Sequence, residues 1–143
     1  MKWIFIQVLT LAALAGCATD KFEIENQQLP ISEIQQAIVA SLPNGQRKAV
    51  QGGREFYSNF FVPKSGQYSS QKDSVRFYAY VVILGDRRPY DIQITVYRQE
   101  LKGREYHDVG VDKGLGRMVM RKLQSALSKR RGERDFIDDF RVF

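Results

Sequence analysis

The stretch VRFYAYVVILGDRRPYDIQITVYRQE, Val75 to Glu100, sets the architecture of this chain. Its first ten residues are β-branched, aromatic or otherwise apolar, the composition of a buried strand. GDRRP, Gly85 to Pro89, is a turn. Beyond it Ile92, Ile94 and Val96 alternate with Gln93, Thr95 and Tyr97, the period of a half-buried strand. Side chains alternate across a sheet. If Ile92, Ile94 and Val96 face a core with Phe77, Ala79, Val81 and Ile83, then Tyr78, Tyr80, Val82 and Tyr97 line the other face.

Downstream, Lys102-Gly103 turns the chain into a further strand, REYHDVGV, Arg104 to Val111. A helix follows over DKGLGRMVMRKLQSALSKRRG, with Asp112 as its N-cap. Leu115, Met118, Val119, Leu123, Ala126 and Leu127 form its apolar face. Lys129, Arg130 and Arg131 fill the last turn and Gly132 is expected to end it. Phe140 and Val142 then suit a terminal strand.

Upstream, REFYSNFFVP, Arg54 to Pro63, reads as an aromatic-rich strand, and the polar segment 64–74 as a loop. Residues 31–45 read as a helix. Ser32 and Gln35 match a capping box, Ile34, Ala37, Ile38 and Leu42 share a face, and Pro43, Asn44 and Gly45 stop it. In KFEIE, Phe22 and Ile24 alternate and can add a short strand. The expectation is an α+β domain over residues 31–143. It has an antiparallel sheet of three to five strands with two helices packed on one face.

The first residues belong to something else. A basic residue, Lys2, precedes an apolar run from Trp3 to Leu14, then Ala15, Gly16 and Cys17. This is the layout of a secretory signal peptide, and the run is shorter than the roughly 20 apolar residues of a spanning helix. Leu14-Ala15-Gly16-Cys17 resembles the lipobox of bacterial lipoproteins. That resemblance implies cleavage before Cys17, a diacylglycerol on its thiol and acylation of the new amino group. Several acyl chains make a stable membrane anchor where one is marginal. Ala18, rather than Asp, after the cysteine implies the outer membrane, with the domain facing the periplasm. An ordinary signal peptide with a chance cysteine, or a buried N-terminal strand, is the competing reading. On the lipoprotein reading residues 1–16 are the signal peptide, 17–30 the lipidated cysteine and tether, and 31–143 the domain. Fully extended, residues 18–30 reach roughly 40 Å.

Cys17 is the only cysteine, so a lipid on it removes the one thiol from catalysis and leaves no disulfide framework. Removing the leader takes away only Lys2, lowering the net charge from +6 to +5. That charge is concentrated: Lys113, Arg117, Arg121, Lys122, Lys129, Arg130, Arg131 and Arg134 are opposed in their segment by Glu133 alone. Arg117, Arg121, Arg130, Arg131 and Arg134 are the candidate surface for an anionic partner. In the envelope that means lipid or lipopolysaccharide-like phosphates or an acidic protein, and not nucleic acid. The bland reading is helix-dipole compensation by the last turn and a solvated outer face for Arg117 and Arg121. Tyr78, Tyr80 and Tyr97 are the candidate partner surface, since an exposed aromatic sheet face marks a binding site. The bland reading there is burial under the polar loop or the termini.

Catalytic chemistry finds little support. His107 is the sole histidine. On a strand it shares a face with Glu105 and points away from Asp108, so it reads as a surface residue and not a metal ligand. Gly114 and Gly116 open a helix after a strand, where phosphates bind, but the spacing fits no phosphate-binding fingerprint and Asp112 would repel an anion. They read as close-packing glycines. Asp135, Asp138 and Asp139 read as counter-charges for Arg130, Arg131 or Arg134. With no nucleophile–base pair, metal cluster or cofactor motif, the expectation is a non-enzymatic envelope lipoprotein that binds a partner protein or an anionic envelope component. An exported hydrolase or polymer-modifying enzyme is the alternative.

Overall fold

The computed structural model describes residues 20–64, 67–69 and 73–139; the expected leader, Cys17 and Phe140 to Phe143 lie outside that range. The fold is α+β. Its main sheet is antiparallel and six-stranded, and both helices pack against one face. The order is β2 (Gln46–Val50), β3 (Glu55–Ser58), β6 (Val75–Leu84), β7 (Tyr90–Lys102), β1 (Phe22–Gln27). β8 (Glu105–Val111) shares the outer edge of β7 with β1: β1 pairs with Tyr90 to Ile94 and β8 with Tyr97 to Lys102. β4 (Val62–Lys64) and β5 (Gln67–Ser69) form a separate small hairpin.

The hairpin β6–β7 is the spine, in unbroken register from Val75 opposite Glu100 to Leu84 opposite Asp91. As the alternation requires, Ala79, Val81, Ile83, Ile92, Ile94 and Val96 are buried together. They meet Ile34, Ala37 and Ile38 of α1 (Ile31–Ser41) and Leu115, Val119, Leu123 and Leu127 of α2 (Lys113–Asp139).

The sheet is wider than three to five strands because β2 carries no periodic signal. Its residues, QRKAV, are exposed on both faces apart from half-buried Val50, so no alternation marks it. The stretch Arg54 to Pro63 is split. β3 stops at Ser58, Asn59 gives its side chain to the carbonyl of Asn44 (2.8 Å), and Phe61 bridges Phe77 before β4 begins. Phe22 and Ile24 do enter the sheet, opposite Ile94 and Ile92.

The helix ends differ from expectation in instructive ways. Ser32 does not cap α1. Pro30 is the N-cap, its carbonyl accepting from the amides of Glu33 and Ile34 (3.0 and 3.1 Å). Gln35 instead donates to the carbonyl of Gly53 (2.9 Å). Gly53 has φ +78°, and an added Cβ would sit 2.7 Å from the Gln35 amide, so the β2–β3 turn needs glycine there. Asp112 does cap α2, its carboxylate accepting from the Leu115 amide at 2.8 Å. Met118 is not on the apolar face: it is 48% exposed, and Met120 packs against the core in its place.

α2 also runs through Gly132 to Asp139. Residues 135–139 are therefore helix and not the start of a strand; Phe140 and Val142 lie outside the described residues. Gly132 is exposed, lacks a positive φ, and a Cβ there meets nothing within 4 Å. A mid-helix glycine costs roughly 0.5–1 kcal/mol relative to alanine. Gly132→Ala should therefore raise the melting temperature, and a scanning calorimetry trace with a lower one would contradict the continuous helix.

Candidate functional site

The pleat that sends Ala79, Val81 and Ile94 into the core sends Tyr78, Tyr80 and Tyr97 to the opposite face, away from both helices. Register then adds neighbours from other strands. Tyr57 of β3 stands opposite Tyr80, and Phe60, just past the end of β3, reaches the same face. The rings form one layer. Tyr57 and Tyr80 lie 4.9 Å apart between centroids, Tyr78 and Tyr97 stack at 5.1 Å, and Phe60 meets Tyr78 edge-on at 6.0 Å. Thr95, opposite Tyr80 on this face, is only 3% exposed, so the aromatic layer keeps water off the strand beneath.

Two guanidinium groups are built into the layer. Arg76, two residues before Tyr78, lies between the rings of Phe60 and Tyr106, 3.5 and 3.6 Å from their centroids. Its Nε donates to Gln99 Oε1 at 2.8 Å. Arg47, at the β-bulge of β2, lies 4.3 Å from the Phe60 centroid and donates through Nε to the Ser58 carbonyl (3.2 Å). Phe60 is thus faced by two cations. Lys48 approaches the Tyr57 ring at 5.3 Å. Cation–π contacts of this kind contribute about 0.5–2 kcal/mol each, more when desolvated. Neither Arg47 nor Arg76 forms an ion pair with another described residue. Burial lowers the Arg76 pKa, with the Tyr106 ring hydroxyl acting the other way; guanidinium remains protonated regardless.

Asp108 of β8 marks the acidic edge of the layer. It accepts from the Tyr78 hydroxyl at 3.1 Å and from Gln99 Nε2 at 2.8 Å. Burial, reinforced by this hydrogen bond and the Asp108 charge, raises the Tyr78 phenol well above its ordinary value. Burial, then the Glu55 carboxylate, pushes Tyr80 up to about 12. A raised phenol pKa means the folded state keeps a proton that the unfolded chain gives up. Below pH 10.0, the ordinary value, both states hold it; between there and about 12 stability falls as pH rises. Tyr80→Phe should flatten this fall. Urea midpoints measured across the window check it, and equal slopes for the two proteins would remove the desolvated phenol from the account.

The expected tyrosines therefore converge, joined by Tyr57, Phe60, Tyr106, Arg47 and Arg76. Arg76 was within reach of the sequence, since in RFYAY it shares parity with Tyr78 and Tyr80. The others come from separate strands and needed the register.

The expected basic surface divides. Arg130 donates to Gln36 Oε1 (2.9 Å), Arg131 to Gln27 Oε1 (3.4 Å), and Arg134 lies 4.0 Å from Glu33 Oε1. These three tie α2 to α1 and β1 and are not a free surface; their described partners are these side chains, not the aspartates of the last turn. Arg117 and Arg121 are exposed, with no hydrogen bond or ion pair to another described residue. His107 is exposed on β8, and no group of three or more His, Cys, Asp or Glu among the described residues is placed to hold a metal. Gly116 is a close-packing glycine: a Cβ would lie 2.7 Å from the Phe22 ring. No family model, curated protein or solved structure matches the chain.

Proposed function

We propose that this chain is a membrane-anchored envelope lipoprotein without enzymatic activity, whose domain binds a partner protein through the aromatic face of its sheet. The observation that carries the reading is the layer of Tyr57, Tyr78, Tyr80, Tyr97 and Phe60 threaded by Arg47 and Arg76, two guanidinium groups without an ion pair among the described residues. Rings clustered at the centre of a face, beside arginines with free N–H edges, are the composition of interface hot spots. Stacking holds the guanidinium planes in place and leaves their edges to meet carboxylates bidentately. An acidic and apolar protein segment is the complement. The lipobox resemblance at Leu14 to Cys17 supports the address.

The address and the binding face are tested in one strain. Cys17→Ala is expected to leave a soluble or uncleaved precursor; mature protein still fractionating with membranes would refute lipidation. A photo-crosslinker placed at Gln93, on the aromatic face, should capture a defined envelope protein, and one at His107 should not. Equal or absent capture from both sites would overturn the binding face.

A further inference from the structure

The lipobox reading gave the domain a tether of residues 18–30. The fold takes most of that tether away. β1 begins at Phe22, and Asp20 is held 2.8 Å from Lys113 at the first turn of α2. The Phe22 ring packs against Gly116 in the same turn. The chain therefore leaves the domain at the N-terminal end of α2, three residues from Cys17. Three residues span at most about 11 Å, close to the roughly 10–12 Å diameter of a helix with its side chains. Cys17 therefore stays within about one helix diameter of the start of α2. A lipid on Cys17 thus holds the N-terminal end of α2 near the headgroups, where exposed charges act over about a Debye length, roughly 8 Å.

The outer side of α2 has the charge for that position. Opposite the buried stripe of Leu115, Val119, Leu123 and Leu127 lie Arg117, Arg121, Lys122 and Lys129, all exposed and without a described ion-pair or hydrogen-bond partner. No acidic residue occurs between Lys113 and Gly132. Met118, 48% exposed, stands among them as an apolar contact. The other basic residues of the helix are occupied: Lys113 by Asp20, and Arg130, Arg131 and Arg134 by α1 and β1.

We infer that this side of α2, carried by Arg117, Arg121, Lys122 and Lys129 around Met118, rests on the anionic phospholipid surface of the membrane that holds Cys17. Because α2 covers the face of the sheet opposite the tyrosines, this contact turns the aromatic face away from the anchoring membrane and toward partners. The inference rests on the lipoprotein reading for its geometry, and the test separates the two.

Mature protein, purified as cells make it, is reconstituted in vesicles of phosphatidylcholine alone or mixed with phosphatidylglycerol. Its mass first records whether Cys17 carries lipid. A fluorophore on Ser125→Cys, mid-way along the outer side of α2, reads quenching by headgroup-attached quencher, and one on Gln93→Cys reads the opposite face. Ser125 should be quenched in the mixed vesicles and Gln93 should not. Each cation near an anionic surface is worth about fivefold in association. Arg117→Gln, Arg121→Gln, Lys122→Gln and Lys129→Gln together should therefore lower the docking equilibrium constant at least about 100-fold, with the melting temperature unchanged. Equal quenching at both sites, or quenching at Ser125 that survives the four substitutions, overturns the docking while an acylated Cys17 keeps the anchor. A bare Cys17 with charge-dependent quenching at Ser125 overturns the anchor and keeps the docking. A bare Cys17 without quenching overturns both.

Discussion

Ile94→Ala should lower the unfolding free energy by about 3–4 kcal/mol, the largest stability effect expected of a single truncation in this protein. Ile94 is fully buried at the centre of β7 and has a strand on either side, with Phe22 and Val81 as its register partners. Both helices close over the same face. A site enclosed in this way by paired strands and packed helices cannot collapse, so the lost transfer energy and the cavity add. Against a typical total of about 5–15 kcal/mol this is a large fraction. In urea titrations the midpoint should drop at constant slope. Val109→Ala, on an exposed position of β8, should change it by no more than about 0.5 kcal/mol. A loss below about 1 kcal/mol at Ile94 would mean that the core is not assembled around β7.

Tyr78→Ala should weaken capture of the partner at least about 30-fold, the loss associated with a central hot-spot aromatic. Tyr78 is where the layer is joined: it stacks on Tyr97, meets Phe60 edge-on, lies 6.5 Å from Tyr57 and donates to Asp108. Removing its ring loosens three others. Because such a change also costs stability, two gentler variants isolate binding. Tyr78→Phe keeps every ring contact and loses the bond to Asp108, so it should bind within a few-fold of the parent. Arg76→Lys keeps the charge but loses the plane that stacks between Phe60 and Tyr106 and the fork that can meet a carboxylate. It should bind about as poorly as Arg76→Ala. If lysine restores capture, the site reads charge alone and the stacked guanidinium is incidental. Arg121→Ala, on the other side of the molecule, should leave capture by the aromatic face unchanged.

Much of the framework was legible because one period ran unopposed. Alternation through Tyr90 to Glu100 needs one buried face, and that parity correctly assigned Ala79, Val81, Ile83, Ile92, Ile94 and Val96 to the core, though not the buried Tyr90. The Asp112 cap was legible because the cap is local, a side chain meeting an amide three residues on. Where a local rule failed, a nearby competitor prevailed. Pro30, with its φ already set, caps α1 two residues before Ser32, and the Gln35 amide finds the Gly53 carbonyl. Gly132 lacks the left-handed conformation of a helix stop, so its freedom goes unused.

Sequence by itself determined the β6–β7 hairpin, its inner and outer faces, and, Met118 aside, which stripe of α2 is buried, because periods of 2.0 and 3.6 residues are properties of the local backbone. It also supplied the resemblance to a lipobox from Leu14 to Cys17, a linear pattern. Only the tertiary structure decided which groups meet. It brought Arg47, Tyr57, Phe60, Arg76 and Tyr106 from separate strands onto one face, since pairing register depends on the whole sheet. It divided the cations of α2 into those bonded to α1 and β1 and those left to solvent, since helix period says how far a residue lies from the core stripe but not what packs at its margins. And it placed Asp20 beside Lys113 at the start of α2 and Phe22 in β1, where the lipoprotein reading expects a tether over residues 18–30.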